Sequence, residues 1–214
     1  MSEESLQDVR DIRRLMEQSS RFSSISGLGG IAAGLIGLAG AALARYVIFP
    51  DYNAEYDQRG SFDGQDFSVL KLQLFVLAMA VFAAAFFAAL YLTWRKAVRQ
   101  GVGLWSATSR RVMRNMAIPL LAGGFFVLGM LHYNEWRFVA PACLIFYGLA
   151  LINASKYTIM DIRYLGYGEI ILGLVSMYWI NQGLLFWALG FGVMHLIYGV
   201  ALWWKEDREP SGKL

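Results

Sequence analysis

The chain has 214 residues, of which 57% are hydrophobic and only 16% charged, well below the roughly 25% of an ordinary soluble domain. That balance excludes a disordered chain, a polar-faced solenoid and most soluble enzymes, and the apolar residues come in long blocks rather than periodic stripes. The formal charge is +3, and the basic residues cluster beside those blocks, the habit of membrane proteins rather than of a chain that binds nucleic acid directly.

Residues 1–22 are polar. Leu6, Val9, Ile12, Leu15, Met16 and Phe22 recur at three- and four-residue steps, which predicts an amphipathic helix on the membrane surface or against another helix. Six apolar blocks follow, at about 26–49 (ended by Pro50), 68–94, 116–133, 136–153, 158–180 and 183–204. Each holds enough residues for a bilayer crossing, which needs about 20. The expected fold is therefore all-α. A cytoplasmic amphipathic helix spans 1–22, a six-helix transmembrane domain 23–205 and a cytoplasmic tail 206–214. The connections at 132–135 and 181–183 are short enough to predict tight helical hairpins. Thr158-Ile-Met-Asp161 has the form of a capping box and predicts the start of the fifth helix. Pro119 is expected in the first turn of the third helix and Pro141 near the start of the fourth, both tolerated positions.

Basic residues predict the orientation. Arg95, Lys96, Arg99, Arg110, Arg111 and Arg114 lie between the second and third blocks, without an acidic residue. The 50–66 connection carries Asp51, Glu55, Asp57, Asp63 and Asp66 against Arg59 alone. The positive-inside rule then puts 95–115 in the cytoplasm, 50–66 outside and both termini inside. Trp94, Trp136, Trp179, Trp203 and Trp204 fall at block ends, where an aromatic belt belongs.

Two patterns stand out within the blocks. In the first, Gly27, Gly30, Gly34 and Gly37 continue a small-residue stripe from Ser23 to Ala44. Such residues let helices approach closely in lipid, either inside one copy or as a homodimer seam through the first helix. In the fifth and sixth, Gly166, Glu169, Gly173 and Ser176 share one face, and Gly192, His195 and Gly199 another. Glu169 and His195 are equidistant from Gln182 at the hairpin, so they are expected at one depth near the midplane. An ionisable group there costs about 3 kcal/mol or more unless paired or wet. Glu169, His195 and Ser176 thus form a candidate ligand or proton site, with a purely structural pair that fixes the hairpin as the alternative.

Other chemistry finds less support. One cysteine, Cys143, speaks against a disulfide framework or a cysteine-based zinc site, and two histidines, His132 and His195, against a multi-histidine metal centre. The two histidines are also expected at very different depths, which disfavours a shared haem. No cofactor or metal is implied. The acidic 57–66 run does not match an EF-hand and reads as a solvated loop. Gly173-Leu-Val-Ser176 lacks the glycine that follows the serine of a nucleophile elbow. No catalytic residue is assigned.

Three stretches carry a resemblance: Ile12–Phe22 with the Ser-Ser-Ile-Ser-Gly-Leu that follows, Asn153–Tyr164, and Leu185–His195. Together they resemble an uncharacterised family of small bacterial integral membrane proteins, over residues 12 to about 204. Members accompany winged-helix transcriptional regulators. The resemblance therefore implies a multi-pass protein of the bacterial inner membrane with a sensory or regulatory role and a cytoplasmic regulator as partner. It supplies no activity and no site residues. The competing classes are a small proton-coupled transporter or channel and an intramembrane enzyme. A continuous polar path from Glu169 to both surfaces would favour transport, and an enclosed polar pair would favour regulation or structure.

Overall fold

The computed structural model of the protein describes residues 25–50, 64–99, 101, 106–159 and 161–208. The expected amphipathic helix at 1–22, nearly all of the 50–66 connection and the end of the tail lie outside the described residues.

The described residues are helical, with no β-strand among them. Helix α1 is Gly27–Leu43, continued by a π-helical turn, Ala44–Ile48. Helix α2 is Gly64–Arg99, and α3 is Ala107–His132. A 3-10 turn, Trp136–Phe138, leads into α4, Val139–Ala154. Helix α5 is Ile162–Ser176. After a further 3-10 turn, Ile180–Gln182, helix α6 runs as Gly183–Trp187, a π-helical stretch Ala188–Met194, and His195–Arg208. Among the described residues, five stretches are long and apolar enough to cross a membrane: Gly27–Ile48, Ser68–Arg99, Ala107–His132, Trp136–Ala154 and Ile180–Lys205. The architecture is thus compatible with a multi-pass membrane protein.

Helix α5 is the exception. Its 15 residues give about 22 Å of helix, against a hydrocarbon core of about 30 Å. It begins later than the expected capping box, because its N-cap is Asp161, whose side chain makes no cap hydrogen bond. That carboxylate instead accepts from Lys205 Nζ at 2.7 Å. Thr158 lies fully buried in the connection before α5.

Helix α3, conversely, starts well before its apolar block. Ser106 caps it, its hydroxyl accepting from the Ser109 amide at 3.0 Å. The basic residues between the second and third blocks therefore form helix ends, Arg95, Lys96 and Arg99 on α2 and Arg110, Arg111 and Arg114 on α3. Pro119 consequently stands inside α3 rather than in its first turn. A proline leaves the carbonyl four residues before it without its helical donor. That carbonyl is Asn115 O, and the Asn153 side-chain amide of α4 donates to it at 2.9 Å.

The helices pack in a spatial order different from the chain order. Helix α1 lies between α2 and α6, α4 lies between α3 and α5, and the first half of α6 joins the two groups by touching α4 and α5. Helices α2 and α3 form the flanks. Their large side chains, among them Leu72, Phe82, Phe87, Ile118 and Phe125, point outward. The interior is built instead from glycines, alanines, Leu144 and Leu151, with Ser109, Thr158, Glu169, Ser176 and His195 buried among them. Such an inside-out distribution suits hydrocarbon, where burying apolar area between helices gains little and close packing decides. Lys71 Nζ donates to Asn134 Oδ1 at 2.6 Å, so α2 reaches the α3–α4 hairpin. In that hairpin Asn134 takes a positive φ of 61°, a left-handed conformation asparagine tolerates.

Candidate intramembrane site

Glu169 stands one turn beyond Leu165 on the buried face of α5 and is 0% exposed. His195 follows the π-helical stretch of α6 and is 6% exposed. The two side chains approach to 3.4 Å, His195 Nδ1 to Glu169 Oε1. This is ion-pair range without a hydrogen bond, because both ring nitrogens of His195 are engaged elsewhere. Nδ1 lies 3.0 Å from the Gly190 carbonyl, and Nε2 lies 2.8 Å from the Tyr147 hydroxyl of α4. With Nδ1–H donating to Gly190 O, Nε2 accepts from the Tyr147 O–H. Neither Glu169 oxygen has a hydrogen-bond partner. A fully buried carboxyl with both oxygens unmet is uncommon, and such a group ordinarily points to a proton, water, ion or ligand.

Local backbone makes this arrangement. A π-helical turn widens the helix, and such turns recur at functional sites. Here it lets the His195 ring fold back onto the carbonyl five residues earlier. Gly190 supplies the space for the carboxyl, since a Cβ there would stand 2.5 Å from Glu169 Oε2. One residue from Glu169, Gly168 receives the Met194 side chain, which a Cβ would strike. Aromatic rings pack around the histidine. Tyr147 stacks on it at 5.4 Å between centroids, and Phe191 lies 5.3 Å from Tyr147 and 4.6 Å from Trp187.

The glycines that flank the pair in sequence serve other neighbours. A Cβ on Gly166 would stand 2.8 Å from Gly148 O, and one on Gly173 would stand 3.0 Å from Pro141 O, so both close α5 onto α4. A Cβ on Gly192 would stand 2.5 Å from Leu38 Cδ2 and one on Gly199 would stand 2.8 Å from Gly27 O, so both close α6 onto α1. At the α5–α6 crossing itself, Gly168 and Gly190 leave the room, for the Met194 side chain and the Glu169 carboxyl. In α1, Gly27 packs on the Trp203 backbone, Gly30 on Gly199, Gly34 on Gly192 and Gly37 on Phe191. The glycine stripe is therefore filled within one copy by α6, so a pairing of two copies through that face would have to displace α6. Ser176 lies seven residues further along α5 than Glu169, and its hydroxyl donates to Gly173 O at 2.7 Å on its own helix. The structure does not bring it to the pair. His132 packs edge-on against Tyr133 at the end of α3, and no group of three or more metal-ligating side chains occurs among the described residues.

Tyr147, Gly168, Gly190 and Met194 are members of the cluster that sequence reasoning missed. A signal existed for Tyr147, a tyrosine in the middle of an apolar block rather than at its end, where an aromatic belt would put it. On the Asp161–Lys205 side of the cluster, a groove of about 360 Å³ opens between α5 and α6, lined chiefly by Tyr164, Leu165, Met194, Ile197 and Tyr198.

No family model matches the chain, and neither a curated protein nor a solved structure does. The resemblance to small bacterial membrane proteins rests on the quoted stretches alone.

Proposed function

We propose that this chain is a non-enzymatic protein of the bacterial inner membrane with a sensory or regulatory role, its signal read at Glu169, His195 and Tyr147. The observation that carries this reading is the enclosed, unmet Glu169 carboxyl, beside a groove whose lining is chiefly apolar. A fully buried carboxyl beside an apolar groove suits an element that responds to occupancy better than one that passes ions. The route outward from the cluster is the π-helical stretch of α6, which touches α1 through Phe191 and Gly192. A cytoplasmic regulator, as the sequence resemblance implies, would then be addressed through the helix ends and the N-terminal segment.

The test uses proteoliposomes holding a pH-sensitive dye. An imposed proton gradient should decay no faster than in protein-free vesicles, while Glu169→Gln should alter hydrogen exchange in Ala188–Met194 and along α1. Proton flux above the protein-free rate that Glu169→Gln abolishes would overturn the regulatory reading in favour of transport.

A further inference from the structure

The groove and the Glu169 carboxyl lie in line. On α5, the lining residue Leu165 precedes Glu169 by one turn on the same buried face. On α6, Tyr198 and Met194 line the groove, and Gly190, one turn beyond Met194, holds the space beside Glu169 Oε2. The Met194 side chain lines the groove and reaches Gly168, the residue before Glu169. Methionine is unbranched and has three rotatable bonds, so it yields a passage at little cost. The walls are apolar, and the groove ends at the Asp161–Lys205 ion pair.

We propose that the groove and Glu169 form one binding site for a small lipophilic amine. Its apolar body lies along Leu165 and Ile197, and its nitrogen reaches Glu169 past Met194. The inference rests on the reading that the signal is received at Glu169, and it names the chemical class that would carry it. An amine's N–H groups supply the donors that both carboxyl oxygens lack, as charge-assisted hydrogen bonds. A purely apolar guest would leave the two oxygens unmet, and an anionic guest would meet a carboxyl. A chiefly apolar pocket with one convergent polar group is the usual form of a small-molecule site.

The probe is dansylcadaverine, a lipophilic primary amine whose emission shifts to the blue away from water. It is titrated into phosphatidylcholine nanodiscs carrying the full chain, with empty discs as the blank. Saturable binding is expected, and Glu169→Gln should weaken it about tenfold or more, the worth of a hydrogen bond to a charged group. Met194→Trp should block the passage and remove the saturable component. Ala201→Trp narrows the groove from its membrane-exposed side and keeps the test decisive if a change at the cluster prevents folding. The N-acetylated, uncharged form of the probe should not compete. Absence of saturable binding, equal binding by Glu169→Gln, or equal binding of the neutral form overturns the proposal. Such a failure without proton flux leaves the regulatory reading standing, whereas a flux that Glu169→Gln abolishes removes that reading whatever the amine does.

Discussion

The α1–α6 seam and the α5–α6 crossing both depend on glycine, for different reasons. In the seam, an added Cβ would mostly run into backbone of the other helix: one on Gly34 would stand 2.8 Å from Gly192 O, and one on Gly30 would stand 3.0 Å from the Gly199 Cα. At the crossing, the absent Cβ atoms of Gly190 and Gly168 leave room for side chains, the Glu169 carboxyl and the Met194 thioether. Backbone cannot retreat, whereas side chains have rotamers. The seam is therefore a rigid spine and the crossing an adjustable joint, and a ligand-responsive site belongs at the joint.

The largest expected effect breaks the seam. Gly34→Val should cost about 3 kcal/mol or more, because overpacking against backbone finds no rotamer escape. Thermal unfolding in one detergent measures it, and no truncation of a facing side chain should restore the loss. Gly190→Ala should cost less, about 1–3 kcal/mol. A Cβ there would meet both Leu144 Cδ2 and Glu169 Oε2, so combining it with Glu169→Ala should recover part of that loss, the part due to the carboxyl. If the two changes simply add, the carboxyl does not occupy the space beside Gly190, and the contrast between spine and joint fails.

Tyr147→Phe sharpens the comparison further. It removes the donor to His195 Nε2 and should cost about 1 kcal/mol, nearer the average of 0.6 kcal/mol for interhelical hydrogen bonds in a membrane. A double-mutant cycle with His195→Leu should show that coupling. Strict additivity would mean the 2.8 Å contact contributes nothing. The smallest effect is expected at Lys205→Ala. Its pairing with Asp161 is partly exposed, and such pairs contribute about 0–1 kcal/mol. A drop in stability above 2 kcal/mol would show that this pair closes the groove rather than edging it.

Several features were legible in residues alone. The equal spacing of Glu169 and His195 from the hairpin put them at one depth, and the side chains do meet within 3.4 Å. The glycine stripe of the first block was also visible, though not its partner. Other features misled for physical reasons. Hydropathy marks where a helix is apolar, not where its hydrogen bonds begin, so α3 starts at Ala107 and carries Pro119 inside it. The capping-box pattern failed because Asp161 pairs with Lys205, a residue 44 positions away.

Composition and block length by themselves determined the helical class, because about twenty apolar residues in a row admit few structures that satisfy their backbone in hydrocarbon. Only the tertiary structure decided which glycine serves which neighbour. A glycine stripe states that something approaches closely and does not say what. It likewise decided that His195 makes its hydrogen bonds with Gly190 and Tyr147 and leaves the Glu169 carboxyl unmet. That outcome depends on a π-helical turn and on a tyrosine from a third helix, neither of which any spacing between two residues contains.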